Sequence, residues 1–242
     1  MTIGTNAMKT SFSLSVVTLL CSSGSLQAST RDSIETQIEW KLTLDVNGGI
    51  TELVPIDANY LPAVRQQLEP VIRSWHFTPG KLNGRPAPTE TTLRVGVALD
   101  ATHAGLYHGR ITFADTGPTY GHMVQPEYPE TAQHFRHEGG VMLLVEYDTE
   151  GRVTSVRHVP EMGTAKVDGA LRDAAIQAVM RWTYRAETVA GQGVAGRALA
   201  PICFTLSHRP CHWNRPKGGK PVESGRPIAL ASVVGLDMGS TK

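Results

Sequence analysis

Apolar and polar positions alternate cleanly in two separated stretches of this chain. In the first, Ile38, Trp40, Leu42, Leu44 and Val46 recur with period two, which predicts a strand with one buried face. Asp45-Val46-Asn47-Gly48 then predicts a turn, and Ile50 opens a return strand. In the second stretch Val141, Leu143, Val145 and Tyr147 alternate, Asp148-Thr149-Glu150-Gly151 turns, and the return runs through Val153 and Val156. A 3.6-residue period follows each hairpin. Leu61, Val64, Leu68, Val71, Ile72 and Trp75 predict one helix; Val167, Leu171, Ala174, Ala175, Ala178, Val179 and Trp182 predict the other. Pro62 suits a first turn, whereas Pro70 removes a backbone donor and is expected to kink or shorten the first helix. Both helices end in Trp, one residue and an aromatic: Trp75-His76-Phe77 and Trp182-Thr183-Tyr184. A last strand follows, with Val95, Val97 and Leu99 in one stretch and Ile202, Phe204 and Leu206 in the other. Counted from Gly84 and Gly191, these positions fall in step.

The expected fold is therefore α+β: two tandem ββαβ units, each a small antiparallel sheet with one packed helix. The units occupy 36–100 and 122–207. Residues 101–121 join them as a linker whose few core candidates, Leu106, Tyr107, Ile111 and Phe113, allow a short strand at most. Residues 208–242 form a basic tail rich in Pro and Gly, with an apolar stretch, Ile228 to Leu236, that offers an extra strand.

Composition changes the picture mainly at the N-terminus. Lys9 precedes an apolar run from Phe12 to Cys21, and the small or polar residues Ser22 to Thr30 follow. That order is the one a secretory signal takes, with cleavage expected after Ala28. The run is about half the ~20 apolar residues of a membrane span, so the expectation is a periplasmic protein; an uncleaved signal would make it inner-membrane anchored. Cleavage removes Cys21 and leaves Cys203 and Cys211, for which an oxidising compartment favours a disulfide. Metal binding by these thiols with His208 and His212 is the alternative, although the spacing matches no standard zinc site.

A formal charge of +1 gives no electrostatic ground for a nucleic-acid partner. No nucleophile elbow, phosphate loop or HExxH motif occurs, so neither an enzyme nor a cofactor is expected. Asp148 and Glu150 are ordinary turn residues, and His134 and His137 suit a solvated helix face. The basic tail (Arg209, Arg215, Lys217, Lys220, Arg226) allows weak contact with membrane or cell wall.

The segment Gln125-Pro126-Glu127-Tyr128-Pro129, followed by Glu138-Gly139, Asp148…Gly151 and Arg181-Trp182-Thr183-Tyr184, resembles the TonB C-terminal domain family over about 125–206. A weaker version without Tyr-Pro covers 38–99. The resemblance implies an open antiparallel sheet with a helix on one face, and binding rather than chemistry. It implies an extended peptide segment of an outer-membrane transporter adding as a strand beside the last strand, about Leu199 to Leu206. The residues it singles out are Gln125, Tyr128, Leu199, Pro201, Cys203 and Thr205. Departures from the family pattern are Ala186-Glu187 where a Pro-Gly is usual, and Pro201 inside the last strand. The competing expectation is a periplasmic scaffold or cell-wall-associated module whose sheet edges serve internally or in a homodimer.

Overall fold

The computed structural model describes residues 11–13, 33–102, 107–164, 166–207, 209, 211, 213, 228–229 and 232–238. Most of the expected signal, residues 1–28, lies outside the described residues, as does most of the basic part of the tail. Among the described residues no helix is long and apolar enough to cross a membrane. The chain is sheet-rich with few helices, an α+β protein.

In chain order the elements begin with β1 (Ser11–Ser13), β2 (Ser33–Leu44), β3 (Ile50–Pro55), α1 (Pro62–Arg73), β4 (His76–Thr78), β5 (Lys81–Leu82), β6 (Arg85–Pro86) and β7 (Thr89–Ala101). Next come β8 (Tyr107–Gly117), β9 (Thr119–His122), α2 (Glu130–His134), β10 (Gly139–Tyr147), β11 (Val153–His158), α3 (Gly169–Val179) and β12 (Thr183–Arg185). The chain ends with β13 (Thr188–Val189), β14 (Gln192–Gly193), β15 (Gly196–Phe204), β16 (Ile228–Ala229) and β17 (Gly235–Asp237).

The first sheet runs β3-β2-β7-β8-β1, all antiparallel. Alternation along β2 sends Ile38, Trp40, Leu42 and Leu44 inward, where they meet Val95 and Val97 of β7 and Val64, Leu68 and Ile72 of α1. Leu68 and Ile72 are fully buried, each worth about 1.5–3 kcal/mol against exposure. Pro70 does not shorten α1, which continues to Arg73. Pro70 is exposed, as is Gln66 four residues earlier, whose carbonyl loses the helical donor. The helix thus carries the proline on its exposed side.

The second sheet runs β11-β10-β15-β16. Val141, Leu143, Val145, Ala198, Ala200, Ile202 and Phe204 face α3, which contributes Leu171, Ala175 and Val179. Asp168 caps α3 by accepting from Ala170 N–H at 2.8 Å. The opposite face, expected to be open, carries its own apolar layer: Met142, Leu144 and Leu199 pack with Val159, Met162 and Trp213.

One local geometry occurs in both sheets. Asp45 Oδ1 accepts from Asn47 and Gly49 N–H, and Asp148 Oδ1 from Glu150 and Arg152 N–H. Gly48 and Gly151 have φ of 84° and 80°, and an added Cβ would stand 1.9 Å from Phe77 O and 1.8 Å from Tyr184 O. In each case the turn glycine lies against the carbonyl of the aromatic two residues beyond the helix-ending Trp.

The segment 101–121 is not a plain linker. β8 pairs with β7 from Thr92↔Gly117 to Ala101↔Tyr107, and β9 pairs with β12. The two sheets also interlock. The β13–β14 hairpin joins β7 through Thr188↔Glu90 and Val189↔Thr89. Arg94, 2% exposed, donates to Asp115 and to the Pro118 carbonyl, both at 2.7 Å.

Candidate functional site

The edge of the second sheet is built by β15. Its inner neighbour β10 pairs along the whole strand, from Tyr147↔Gly196 to Gly139↔Phe204. Its outer side meets β16 only at Ala198↔Ala229 and Leu199↔Ile228. Among the described residues the outer backbone from Ala200 to Phe204 has no strand beside it. The corresponding strand of the first sheet, β7, has the same inner neighbour relation to β2, but its outer side is filled by β8.

The far end of the edge is clamped. Glu138, the residue before β10, accepts from the backbone N–H of Leu206 and Ser207 and from Ser207 Oγ. The Leu206 N–H first, then the two Ser207 donors, hold the Glu138 carboxyl below its ordinary value. Cys203 and Cys211 are bonded to each other as a disulfide. The loop it closes leads to Trp213, whose ring lies where a Cβ on Gly140 would be, 2.8 Å away.

The residues singled out by sequence take different roles. Tyr128 sets its ring edge-on to Phe204 at 5.4 Å, and its hydroxyl donates to the His137 carbonyl. Gln125 is exposed, next to Val124, whose carbonyl accepts from the Trp182 indole N–H at 2.7 Å. The segment from Val124 to Tyr128 thus reaches from Trp182 to Phe204. Leu199 is flanked by Leu144 of β10 and Ile228 of β16, so among the described residues the part of β15 with no outer strand starts at Ala200. Pro201 is buried opposite Met142 and carries no N–H to offer. Cys203 is occupied by its bridge, and Thr205 lies half-buried just past the strand.

Two features escaped the sequence reading. One is Tyr120, which joins the expected aromatics under the sheet: it meets Trp182 edge-on at 5.0 Å, beside Tyr147 stacked on Tyr184 at 4.9 Å. Burial pushes the Tyr147 and Tyr184 phenols well above their ordinary range, so both are neutral. The other is Glu187, 4% exposed. Its carboxylate accepts from Thr91 Oγ1 and Ser232 Oγ at 2.6 Å and from Val233 N–H at 3.0 Å. The unusual Ala186-Glu187 pair was the visible signal, but its partners are 96 and 45 residues away. A cleft of about 90 Å³ beside it, lined by Lys41, Glu90, Thr91 and Arg185, has room for a few waters.

Residues 124–206 match the family model described as the Gram-negative bacterial TonB protein C-terminal. Similar relatives are Protein TonB of Xanthomonas campestris pv. campestris strain B100 and its counterpart in strain ATCC 33913. Each is 36% identical over 85 residues, 35% of this chain and 36% of the relative. The match thus spans about a third of the length of these curated relatives. No solved structure matches the chain. With β10, β11, α3, β12 and β15 inside the matched span, residues 124–206 are a domain of the TonB C-terminal family.

Proposed function

We propose that the chain is a periplasmic binding module, not an enzyme, that takes an extended peptide segment of an outer-membrane transporter as an added strand beside β15. The observation that carries this reading is the contrast between two equivalent edges. β8 lies along the outer side of β7, whereas Ala200 to Phe204 of β15 have no such neighbour among the described residues. The family of residues 124–206 supports the kind of partner.

Four or five backbone bonds at about 0.5–1.5 kcal/mol net amount to a few kcal/mol before ordering costs. Pairing alone therefore gives about millimolar affinity, and Pro201 lowers it further. Side-chain contacts at the rim, from residues such as Gln125 and Thr205, are needed for tighter binding. We place the site on the second unit and regard the first as a divergent copy of the same ββαβ design, in which the matched Asp-turn geometry persists but the edge is closed by β8.

The test leaves the protein untouched. A labelled transporter peptide is titrated against two analogues N-methylated at alternate amides, one series on each phase of the strand. The expected result is at least tenfold weaker binding for one phase and little change for the other. Equal binding of both analogues, or no binding of the parent peptide, contradicts the proposal.

The second reading, a scaffold whose edges serve internally, draws on β8 and β16, which are strands of the chain itself laid on sheet edges. A stable dimer in light scattering, insensitive to added peptide, would favour it.

A further inference from the structure

The short strand after each helix has an antiparallel partner, but from very different places in the chain. β12 takes β9, which immediately precedes its own unit. β4 takes β17, from the far C-terminal end, with Gly235↔Thr78, Leu236↔Phe77 and Asp237↔His76. Here the first unit receives a strand delivered from beyond the whole second unit.

The contacts made by the delivered segment are those of a ligand in a shaped groove. Val234 is buried in the first core, with Val233, Leu236 and Met238 packed around it. Gly235 lies so close to β4 that an added Cβ would meet Thr78 Cβ at 3.1 Å. Ser232 donates to Glu187 and receives Val234 N–H at 3.1 Å, while Val233 N–H reaches the other Glu187 oxygen. The groove thus reads a hydroxyl, an apolar pair, a glycine and a second apolar residue in that order. The sequence leading to it, residues 214–227, holds Pro, Gly and charged residues in the proportions of a linker rather than of a packed element.

We infer that the groove beside β4 is a second strand-accepting site, whose ligand is the chain's own segment Ser232–Met238, docked as a dissociable strand that completes the first core. The site is separate from the β15 edge and stands if that reading fails. Its consequence does rest on that reading: the same tail supplies β16, so its release would extend the open edge of β15 from Ala200 back to Ala198.

The experiment uses the full chain with a site-specific protease sequence placed within residues 214–227. After cleavage, a fluorescent synthetic peptide of residues 228–238 is added in excess and the protein is re-isolated. The inference requires the cleaved tail to be exchanged for the labelled peptide saturably, with Val234→Asp or Gly235→Val in the peptide weakening uptake at least tenfold. Retention of the original tail without exchange, or its loss without uptake of label, overturns the inference. Should cleavage unfold the protein, hydrogen exchange on the uncut chain decides the matter. The amides of Gly235, Leu236 and Asp237 must exchange at least tenfold faster than those at the centre of β7, by an opening that leaves β7 protected. Equal protection of the two sets overturns it.

Discussion

Replacing Gly151 by Ala tests whether the hairpin turn and the strand after α3 are locked together. The magnitude has two parts. Gly151 sits at φ 80°, a left-handed conformation that costs an L-residue about 1–2 kcal/mol. The new methyl also falls 1.8 Å from the Tyr184 carbonyl, which cannot remain in place. Moving it disturbs the bond from Tyr184 N–H to the Gly151 carbonyl, 2.7 Å long, and the adjacent Arg152↔Thr183 bridge. Each such bond contributes about 0.5–1.5 kcal/mol. The total loss is about 2–5 kcal/mol. Gly191→Ala is the control: φ is 76°, yet nothing lies within 4 Å of the added carbon, so only the conformational cost applies. Urea unfolding followed by Trp fluorescence should show Gly151→Ala losing at least 1 kcal/mol more than Gly191→Ala. Equal losses would mean that the Tyr184 carbonyl does not crowd the turn, and a Gly151→Ala variant as stable as the parent would mean that the turn and the strand after α3 are not locked together.

Arg94→Met should cost about 3–5 kcal/mol, because it leaves Asp115 buried without its guanidinium; a loss below 1 kcal/mol in the same assay would contradict this. Reducing the Cys203–Cys211 bridge, eight residues apart, should lower stability by about 2–3 kcal/mol in the chain-entropy model and release Trp213, seen as a red shift in its emission. An unchanged unfolding midpoint with dithiothreitol would count against both effects. Acid should weaken the domain through Glu138, Asp148 and Asp168, whose carboxyls are held below ordinary values of 4.5, 3.8 and 3.8 chiefly by the N–H groups of Leu206, Arg152 and Ala170. Their contribution is complete above about pH 4.5 and is lost as pH falls through the lowered values. An Asp148→Asn variant should flatten part of that decline; an identical pH profile would contradict the assignment.

Much of the second unit was legible because Val141, Leu143, Val145 and Tyr147 stand at every second position of β10 and meet α3, although Met142 and Leu144 between them are covered on the other face. Asp148 and Gly151 announced their turn for an equally local reason. β8 was harder to see. It carries Asp115 and Thr116, both buried and polar, whose partners Arg94 and Ser232 lie 21 and 116 residues away. A buried polar residue satisfied at long range is indistinguishable in sequence from a solvated one. Pro70 misled in the other direction, since the rule against proline in helices does not register that the lost bond is on the wet face. The last strand of the second unit was legible, but the pairing along its outer side was not: Ala229 and Ile228 pair with Ala198 and Leu199, and a strand of that length has no periodicity to read.

Whether the β15 edge accepts an outside strand is read by titrating the ¹⁵N-labelled chain with a transporter-derived extended peptide, followed amide by amide. The largest shift changes are expected at Ala200, Ile202, Cys203, Phe204 and Thr205, with little effect at β3 or β11, the opposite edges of the two sheets. Saturable changes confined to β3 or β11, or none up to millimolar peptide, would contradict strand addition at β15.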